Sequence, residues 1–363
     1  MESLVFIDNQ DRTDPAFNLA LEEYALREMD PARDYLLLYR NESSVIVGRN
    51  QNVLEEVNDS FVRSRGIRIL RRLSGGGTVY HDPKNLNFSF ITRYEPSRLH
   101  NFRFFNAPVV KLLQTLGVPA EMNDRNDILA GGRKISGSAQ FSSKGRMFSH
   151  GTLLFDSELD VLDRVLSVRM KQIESKSHKS VRSVVANISE FLDRPMDVSA
   201  FRHFLLDGLE SEGLVGSHYG LTEADLGRIR EIRESRYDKW EWNIGRSPRF
   251  RLKRSRTIDD WKVFMDLSVD KGHIKQIILH PESLHPESLR PESLRPESQN
   301  GLDPATIPDY KGISNALNGI RYDPETVRHR LEFACARDRL TASISVDALT
   351  ALIYGGDEGE GEG

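Results

Sequence analysis

Arg71-Arg72-Leu73-Ser74-Gly75-Gly76-Gly77-Thr78-Val79-Tyr80-His81-Asp82 reads as a strand that carries two arginines into a triple-glycine turn. Glycine lets a backbone approach a ligand closely and offers unobstructed N–H groups to an anion. Adjacent strand residues point to opposite faces, so only one of the two arginines is expected to meet a ligand. The stretch lacks the Gly-Lys-Ser/Thr ending of a P-loop. No long helix opens after it, which makes it a poor dinucleotide fingerprint. A triple glycine alone is most often a plain tight turn, so the neighbouring segments decide its meaning.

Upstream, Asp14-Pro15 marks a helix start: Asp caps free N–H groups, and Pro at the first position has none to waste. Phe17, Leu21, Tyr24 and Ala25 then line one face of a helix ending near Glu28. Tyr35–Tyr39 and Ser44–Gly48 are short apolar runs separated by Arg40-Asn41-Glu42, a hairpin-like pair of strands. Ile67–Leu73, Leu86–Thr92, Ile135–Phe141 and Met147–Phe155 read as strands. Phe105–Leu116 reads as a helix stopped by Gly117, with further helices around 158–167, 198–210 and 223–236. The strands lie too close for helical crossovers throughout. The expected fold class is therefore α/β (α+β) with a mixed, largely antiparallel sheet.

The chain has 363 residues, enough for two domains. Its character changes after Trp240-Glu241-Trp242-Asn243, which places a main domain at 1–245 and a smaller α/β domain at 250–355. In the latter, Trp261–Val269 and His273–Leu279 read as strands and 324–335 as a helix. Four copies of (His/Arg)-Pro-Glu-Ser run from His280 to Ser298 within a low-complexity insertion at 280–299. A proline every fifth residue forbids a regular helix and removes ladder donors, so this text reads as a solvated loop. The acidic tail, 356–363, holds four of the acids behind a net charge of −4. No basic excess argues for nucleic acid. No apolar run is long enough for a membrane span and no signal peptide is evident, so a cytoplasmic protein is expected. Cys335 is the single cysteine, which excludes a disulfide framework and a multi-Cys metal cage.

Two further segments carry chemistry. In Arg125-Asn126-Asp127-Ile128-Leu129-Ala130-Gly131-Gly132-Arg133-Lys134-Ile135-Ser136-Gly137-Ser138-Ala139, Gly131-Gly132 suits a two-residue hairpin turn. A period of two puts Lys134, Ser136, Ser138 and Gln140 on one face, a lysine over small hydroxyls. Ile135, Gly137, Ala139 and Phe141 share the other face. The third segment is Ser149-His150-Gly151-Thr152-Leu153-Leu154. His150 and His81, each taken alone, read as satisfied structural histidines, and no His-x-x-x-His spacing points to a structural metal.

Together these segments resemble the lipoate–protein ligase A family of the biotin/lipoyl ligase superfamily. Phe17-Asn18-Leu19-Ala20, Gly48-Arg49-Asn50-Gln51-Asn52, Ser180-Val181-Arg182-Ser183 and Trp240-Glu241-Trp242-Asn243-Ile244-Gly245 agree with it, over residues 4–279. Lys84 departs from it, standing where the family usually has glycine. The resemblance implies a catalytic domain of biotin/lipoyl ligase type with a C-terminal accessory domain. It implies that lipoate attacks the α-phosphate of ATP to give lipoyl-AMP and pyrophosphate, and that an acceptor lysine then takes the lipoyl group. Lys134 is implied as the catalytic residue touching lipoate and ATP. Arg72, Gly75, Gly76, Gly77, Thr78, Val79, Tyr80, Asn126, Asp127, Ser136, Gly137, Ala139 and His150 are implied in binding the two substrates. Asp127 is implied as the magnesium ligand. Implied acceptors are the lipoyl domains of 2-oxoacid dehydrogenase acyltransferase subunits and the glycine cleavage H protein, with a monomeric enzyme.

The chemistry of the residues agrees. A carboxylate attacking a phosphate brings two anions together, and fixed cations and N–H donors must offset their repulsion. An acyltransferase on the same fold would use a thiol, and Cys335 lies far in sequence from every motif above. A degenerate binding module would not need both Lys134 and the glycine turn.

Overall fold

The computed structural model describes residues 3–166, 173–181, 183–258, 261–284, 309–338 and 345–355. They form two compact units, Met1–Ser167 with His178–Ile244 and Val168–Ser177 with Gly245–Gly363.

The first unit begins with β1 (Leu4–Asp8), α1 (Pro15–Arg27), β2 (Tyr35–Arg40) and β3 (Ser44–Val47). Two short helices follow, α2 (Val53–Glu56) and α3 (Asp59–Ser64), then β4 (Arg68–Arg71), β5 (Val79–His81) and β6 (Asn85–Arg93). Next come α4 (Phe102–Thr115), β7 (Ala120–Met122), β8 (Ile128–Ala130), β9 (Arg133–Ser136), β10 (Ser138–Ser143), β11 (Arg146–Leu154) and α5 (Leu159–Leu166). The second unit takes β12 (Ile173–Ser175). The first unit resumes with α6 (Val198–Ser211), β13 (Val215–Gly220), α7 (Glu223–Ile232) and α8 (Trp240–Asn243).

The main sheet has the order β10-β11-β6-β2-β1-β13. Only the β1–β2 and β1–β13 pairs are parallel. Leu36, Leu38, Phe88 and Phe90 pack on one face against Phe105 of α4 and Phe201 of α6. Tyr35, Leu37, Tyr39 and Ile91 pack on the other against Leu21 and Tyr24 of α1. Both faces being covered explains why β2 reads Tyr-Leu-Leu-Leu-Tyr without alternation. The helix start at Asp14 is real: its carboxylate accepts from Ala16 N and Phe17 N.

Two small sheets flank the main one, β4-β3-β5 and β7-β8-β9. Two readings of the sequence change here. Tyr35–Tyr39 and Ser44–Gly48 are not a hairpin: β2 joins the main sheet while β3 pairs with β4 and β5. Ile135–Phe141 is not one strand: β9 pairs with β8 and β10 with β11, the chain changing sheet at Gly137. Period-2 counting cannot see such a switch.

Arg71 explains why the Trp-Glu-Trp-Asn stretch stands where it does. Its side chain is wholly buried. It donates to the carbonyls of Gly48, Gln51, Trp242 and Asn243. Trp242 Nε1 and the Asn243 amide return the contact by binding Arg71 O and Arg71 N. Lys84 forms no left-handed turn; its N–H binds Asp82, whose other oxygen accepts from Glu158 N.

The second unit holds a four-stranded antiparallel sheet, β12, β14 (Phe250–Ile258), β15 (Trp261–Asp270) and β16 (His273–Ser283). Helices α9 (Tyr310–Leu317), α10 (Pro324–Asp338) and α11 (Val346–Tyr354) complete it. The first repeat copy, His280–Ser283, is strand rather than loop. Pro281 is tolerated because β16 is an edge strand. The remaining copies and the acidic tail lie outside the described residues.

Arg71→Met removes a buried cation and leaves five carbonyls, those of Gly48, Arg49, Gln51, Trp242 and Asn243, without its donors. It should lower unfolding free energy by about 3 kcal/mol. Urea unfolding of the variant measures this; a loss within experimental error would show that the clamp is dispensable.

Candidate functional site

The three sequence segments converge on one cavity of about 530 Å³ in the first unit. Asn50, Arg125, His178, Lys179, Val181 and Ser183 lie at its exposed rim. Leu19, Tyr39, Ile46, His81 and Asn87 are buried and form its inner end. The glycine turn and Lys134 line the space as well.

The turn has no side chains of its own to hold it, and Arg72 does so instead. Its guanidinium donates to Ser74 Oγ at 2.9 Å, Ile46 O at 3.0 Å, Gly75 O at 2.6 Å and Gly77 O at 2.7 Å. Burial pulls its pKa down to about 10, with the Glu22 carboxylate acting in the opposite direction. Gly76 has a φ of +84°, and a Cβ on Gly48 would stand 2.1 Å from Gly76 O, so the two backbones meet only because both are glycine.

A second layer fixes this loop. Ser74 Oγ lies 2.8 Å from His150 Nε2, and His150 Nδ1 lies 2.9 Å from Glu22 Oε1. The Glu22 carboxylate accepts from His150 Nδ1, and Ser74 Oγ, which accepts from Arg72, bridges the guanidinium and His150 Nε2. Gln51 Oε1 accepts from Gly48 N and Thr78 Oγ1, and its amide donates to Ser180 Oγ. Ser180 Oγ also accepts from Thr78 N and donates to Glu56. Burial raises the Glu56 pKa, and the Ser180 contacts oppose the rise.

On the opposite wall Lys134 Nζ lies 2.8 Å from Asp127 Oδ1, with both side chains partly exposed. Lys134 is held at both ends of its backbone, its N–H on Val184 O and its carbonyl on Ala186 N. A Cβ on Gly137 would come within 3.0 Å of Lys134 Cε and Nζ, so the absent side chain makes room for the ammonium. Asp127 is the one carboxylate among the described lining residues. No cluster of three or more His, Cys, Asp or Glu suited to a metal occurs among the described residues.

Of the residues singled out in the sequence, Arg72, Gly75, Gly76, Gly77, Thr78, Val79, Asp127, Lys134, Gly137, Ala139 and His150 line the cavity. Tyr80, Asn126 and Ser136 do not. Tyr80 alternates to the far face of β5, is buried among Val45 and Val47, and has its hydroxyl on Ser43. Asn126 occupies a tight turn at φ +64°, its carbonyl accepting from Asn106. Ser136 is buried under the β8–β9 irregularity. Ser138 lines the cavity together with Gly137 and Ala139, because the change of sheet breaks the alternation. Glu22, Gln51, Ser74, Ser180 and the inner-end residues had no site role in the sequence reading, although Leu19, Gln51, Ser74, His81 and Ser180 stand inside the quoted motifs. Glu22 carries only the signal of a polar residue on an apolar helix face.

Fold and cavity together give a braced glycine turn, a lysine on the opposite wall and a buried inner end. The family model "Lipoyl protein ligase A/B catalytic domain" matches residues 14–210. The chain is 51% identical over 274 residues to the lipoate-protein ligase LplJ of Bacillus subtilis, covering 75% of this chain and 83% of that one. A lipoate protein ligase of T. acidophilum with bound lipoic acid is 32% identical with a TM-score of 0.56, covering 67% of this chain and all of that one. A lipoate-protein ligase A bound with ATP is 31% identical, TM-score 0.55, covering 68% and 99%. A bi-partite lipoate protein ligase of Thermoplasma acidophilum, solved with its E2 lipoyl domain, is 29% identical, TM-score 0.57, covering 68% and 97%. The chain belongs to the lipoyl protein ligase A/B family.

Burial, followed by the nearby Arg72 charge, pushes the His81 pKa down to about 3. The folded protein therefore keeps this imidazole neutral while the unfolded chain takes up a proton near pH 6.5. His81 adds stability above that pH and loses it as pH falls toward 3, by up to about 1.4 kcal/mol per pH unit. Urea unfolding between pH 7 and 4 should show a steeper acid loss in the wild type than in His81→Leu. Equal slopes would contradict a buried neutral His81.

Proposed function

We propose that this cavity carries both half-reactions of lipoate ligation. The enzyme ligates lipoate to protein. Its first step joins a lipoate carboxylate oxygen to the α-phosphorus of ATP and expels pyrophosphate. In the second, the amine of an acceptor lysine attacks the acyl carbon of lipoyl-AMP and AMP leaves.

The observation that carries this reading is Lys134. Its ammonium stands over Gly137 in the same cavity that the glycine turn lines. A mobile point charge there can leave Asp127 for the incoming carboxylate and α-phosphate and offset their repulsion. Gly77 and Val79 offer backbone to the nucleotide and Thr78, whose N–H is held by Ser180 Oγ, braces the run, while Arg72 acts through the loop it holds. The lipoyl chain takes the buried inner end beyond Gly75 and Val79, along Leu19 and Ile46.

Magnesium is commonly held by one or two carboxylates together with substrate phosphates. Asp127 supplies one carboxylate at the cavity wall and fits that pattern. When bound, the ion would neutralise phosphate charge.

Lipoate ligases of this kind act on lipoyl domains. We extend the acceptors to the glycine cleavage H protein and infer a monomeric, cytoplasmic enzyme. No helix among the described residues is long and apolar enough to cross a membrane. The division into a catalytic domain at 1–245 and an accessory domain at 250–355 belongs to the same reading. Support comes from every described lining residue lying in the first unit. Cys335 belongs to α10 of the second unit, far in sequence from every residue that lines the cavity, and this supports the adenylate route over a thioester.

Lys134→Ala should lower lipoate-dependent pyrophosphate release by about a hundredfold or more without shifting the melting curve. Gly137→Ala should lower it by about tenfold by displacing the ammonium. Near-normal turnover in Lys134→Ala would overturn the assignment. Cys335→Ser should retain transfer to a lipoyl domain; its loss in a folded variant would instead indicate a thioester enzyme.

A further inference from the structure

Beside the Tyr39 hydroxyl, the side chains of His150, Asn87 and His81 bring polar groups to the inner end of the cavity, and the first two are spent. Both His150 nitrogens are engaged, by Ser74 and Glu22. The Asn87 amide donates to Tyr39 O and its oxygen accepts from Asn85. His81 differs: it is 5% exposed, and its Nε2 is buried without a hydrogen-bond partner.

The protonation of that nitrogen is fixed by a chain of buried asparagines. The Asn9 and Asn18 amides both donate to Arg12 O, and Asn18 also donates to Arg40 O, so both must present their nitrogens there. The same Asn18 nitrogen, its two N–H groups shared among three acceptors, stands 2.9 Å from Asn41 Oδ1, which turns the Asn41 amide nitrogen toward His81 Nδ1 at 2.9 Å. Nδ1 therefore accepts, and a neutral imidazole must carry its proton on Nε2. Three asparagines, each 2% exposed or less, serve to aim one N–H donor into the cavity. A buried donor left unmatched is costly, so a ligand that supplies an acceptor there is favoured over one that does not.

We propose that His81 Nε2–H donates to a sulfur of the dithiolane ring and thereby selects lipoate over a saturated fatty acid of the same chain length. The inference rests on the ligase reading above. With the carboxylate at Lys134, the only heteroatoms left in lipoate are its two ring sulfurs. Octanoate fills the same space with hydrogen-bond-inert carbon. Sulfur is a weak acceptor, so the discrimination is moderate, about tenfold in kcat/KM.

The test compares lipoate with octanoate in ATP-dependent pyrophosphate release by the full chain. The lipoate-to-octanoate ratio of kcat/KM should fall about tenfold in His81→Leu and recover in His81→Gln, which restores an N–H donor. An equal loss for both acids, or no recovery in a folded His81→Gln, would overturn the proposal. A wild type that releases pyrophosphate with neither acid would overturn the ligase reading itself. Independently of any variant, the ¹⁵N resonance of His81 Nε2 in wild-type protein should move on adding lipoate and stay on adding octanoate. The same movement with both would refute the sulfur contact.

Discussion

A loop built from three successive glycines has no means of holding its own shape, and the buried guanidinium of Arg72 supplies it. Four N–H donors of that one side chain pin Ile46 O, Ser74 Oγ, Gly75 O and Gly77 O. Placing a cation there costs solvation, seen in its depressed pKa, and the Glu22 carboxylate is its counter-charge. The Ser74–His150–Glu22 chain connects the two through hydrogen bonds, so loop, charge and second layer form one unit. A half-satisfied network of this kind would be worse than an apolar core, which is why so many neighbours are committed to it.

The two adjacent arginines divide the work that this constraint imposes. Arg72 ties the loop to the cavity wall. Arg71, on the opposite face of the strand, ties the same strand to the 48–51 segment and to the Trp-Glu-Trp-Asn turn. The ligand-facing backbone is thereby held from both sides, while Lys134 on the far wall keeps freedom to move. Rigid donors opposite one mobile cation suit a step in which charge must shift from carboxylate to phosphate.

Much of this was legible in the sequence. Asp14-Pro15, the apolar β2, the Gly131-Gly132 turn and the clustering of three motifs each rest on local rules, and the structure follows them. What was hidden depends on distance. Gly137 changes the sheet to which its strand belongs, so a period-2 reading puts Ser136 on the face of Lys134 and Gly137 on the other, although Gly137 lines the cavity and Ser136 does not. Tyr80 was grouped with its loop although alternation on β5 turns it into the core. His81 reads as a structural histidine until Asn9, Asn18 and Asn41 are seen to converge on it from up to 72 positions away. No spacing rule signals a tautomer.

The account rests on the lipoate carboxylate meeting the α-phosphate of ATP, and oxygen tracing tests that contact most directly. Lipoate carrying ¹⁸O in both carboxylate oxygens should be turned over with ATP and an acceptor lipoyl domain, and the products weighed by mass spectrometry. Attack on the α-phosphorus predicts one ¹⁸O atom in each AMP, one in the new amide and none in pyrophosphate. Label in pyrophosphate or orthophosphate, with AMP unlabelled, would contradict it.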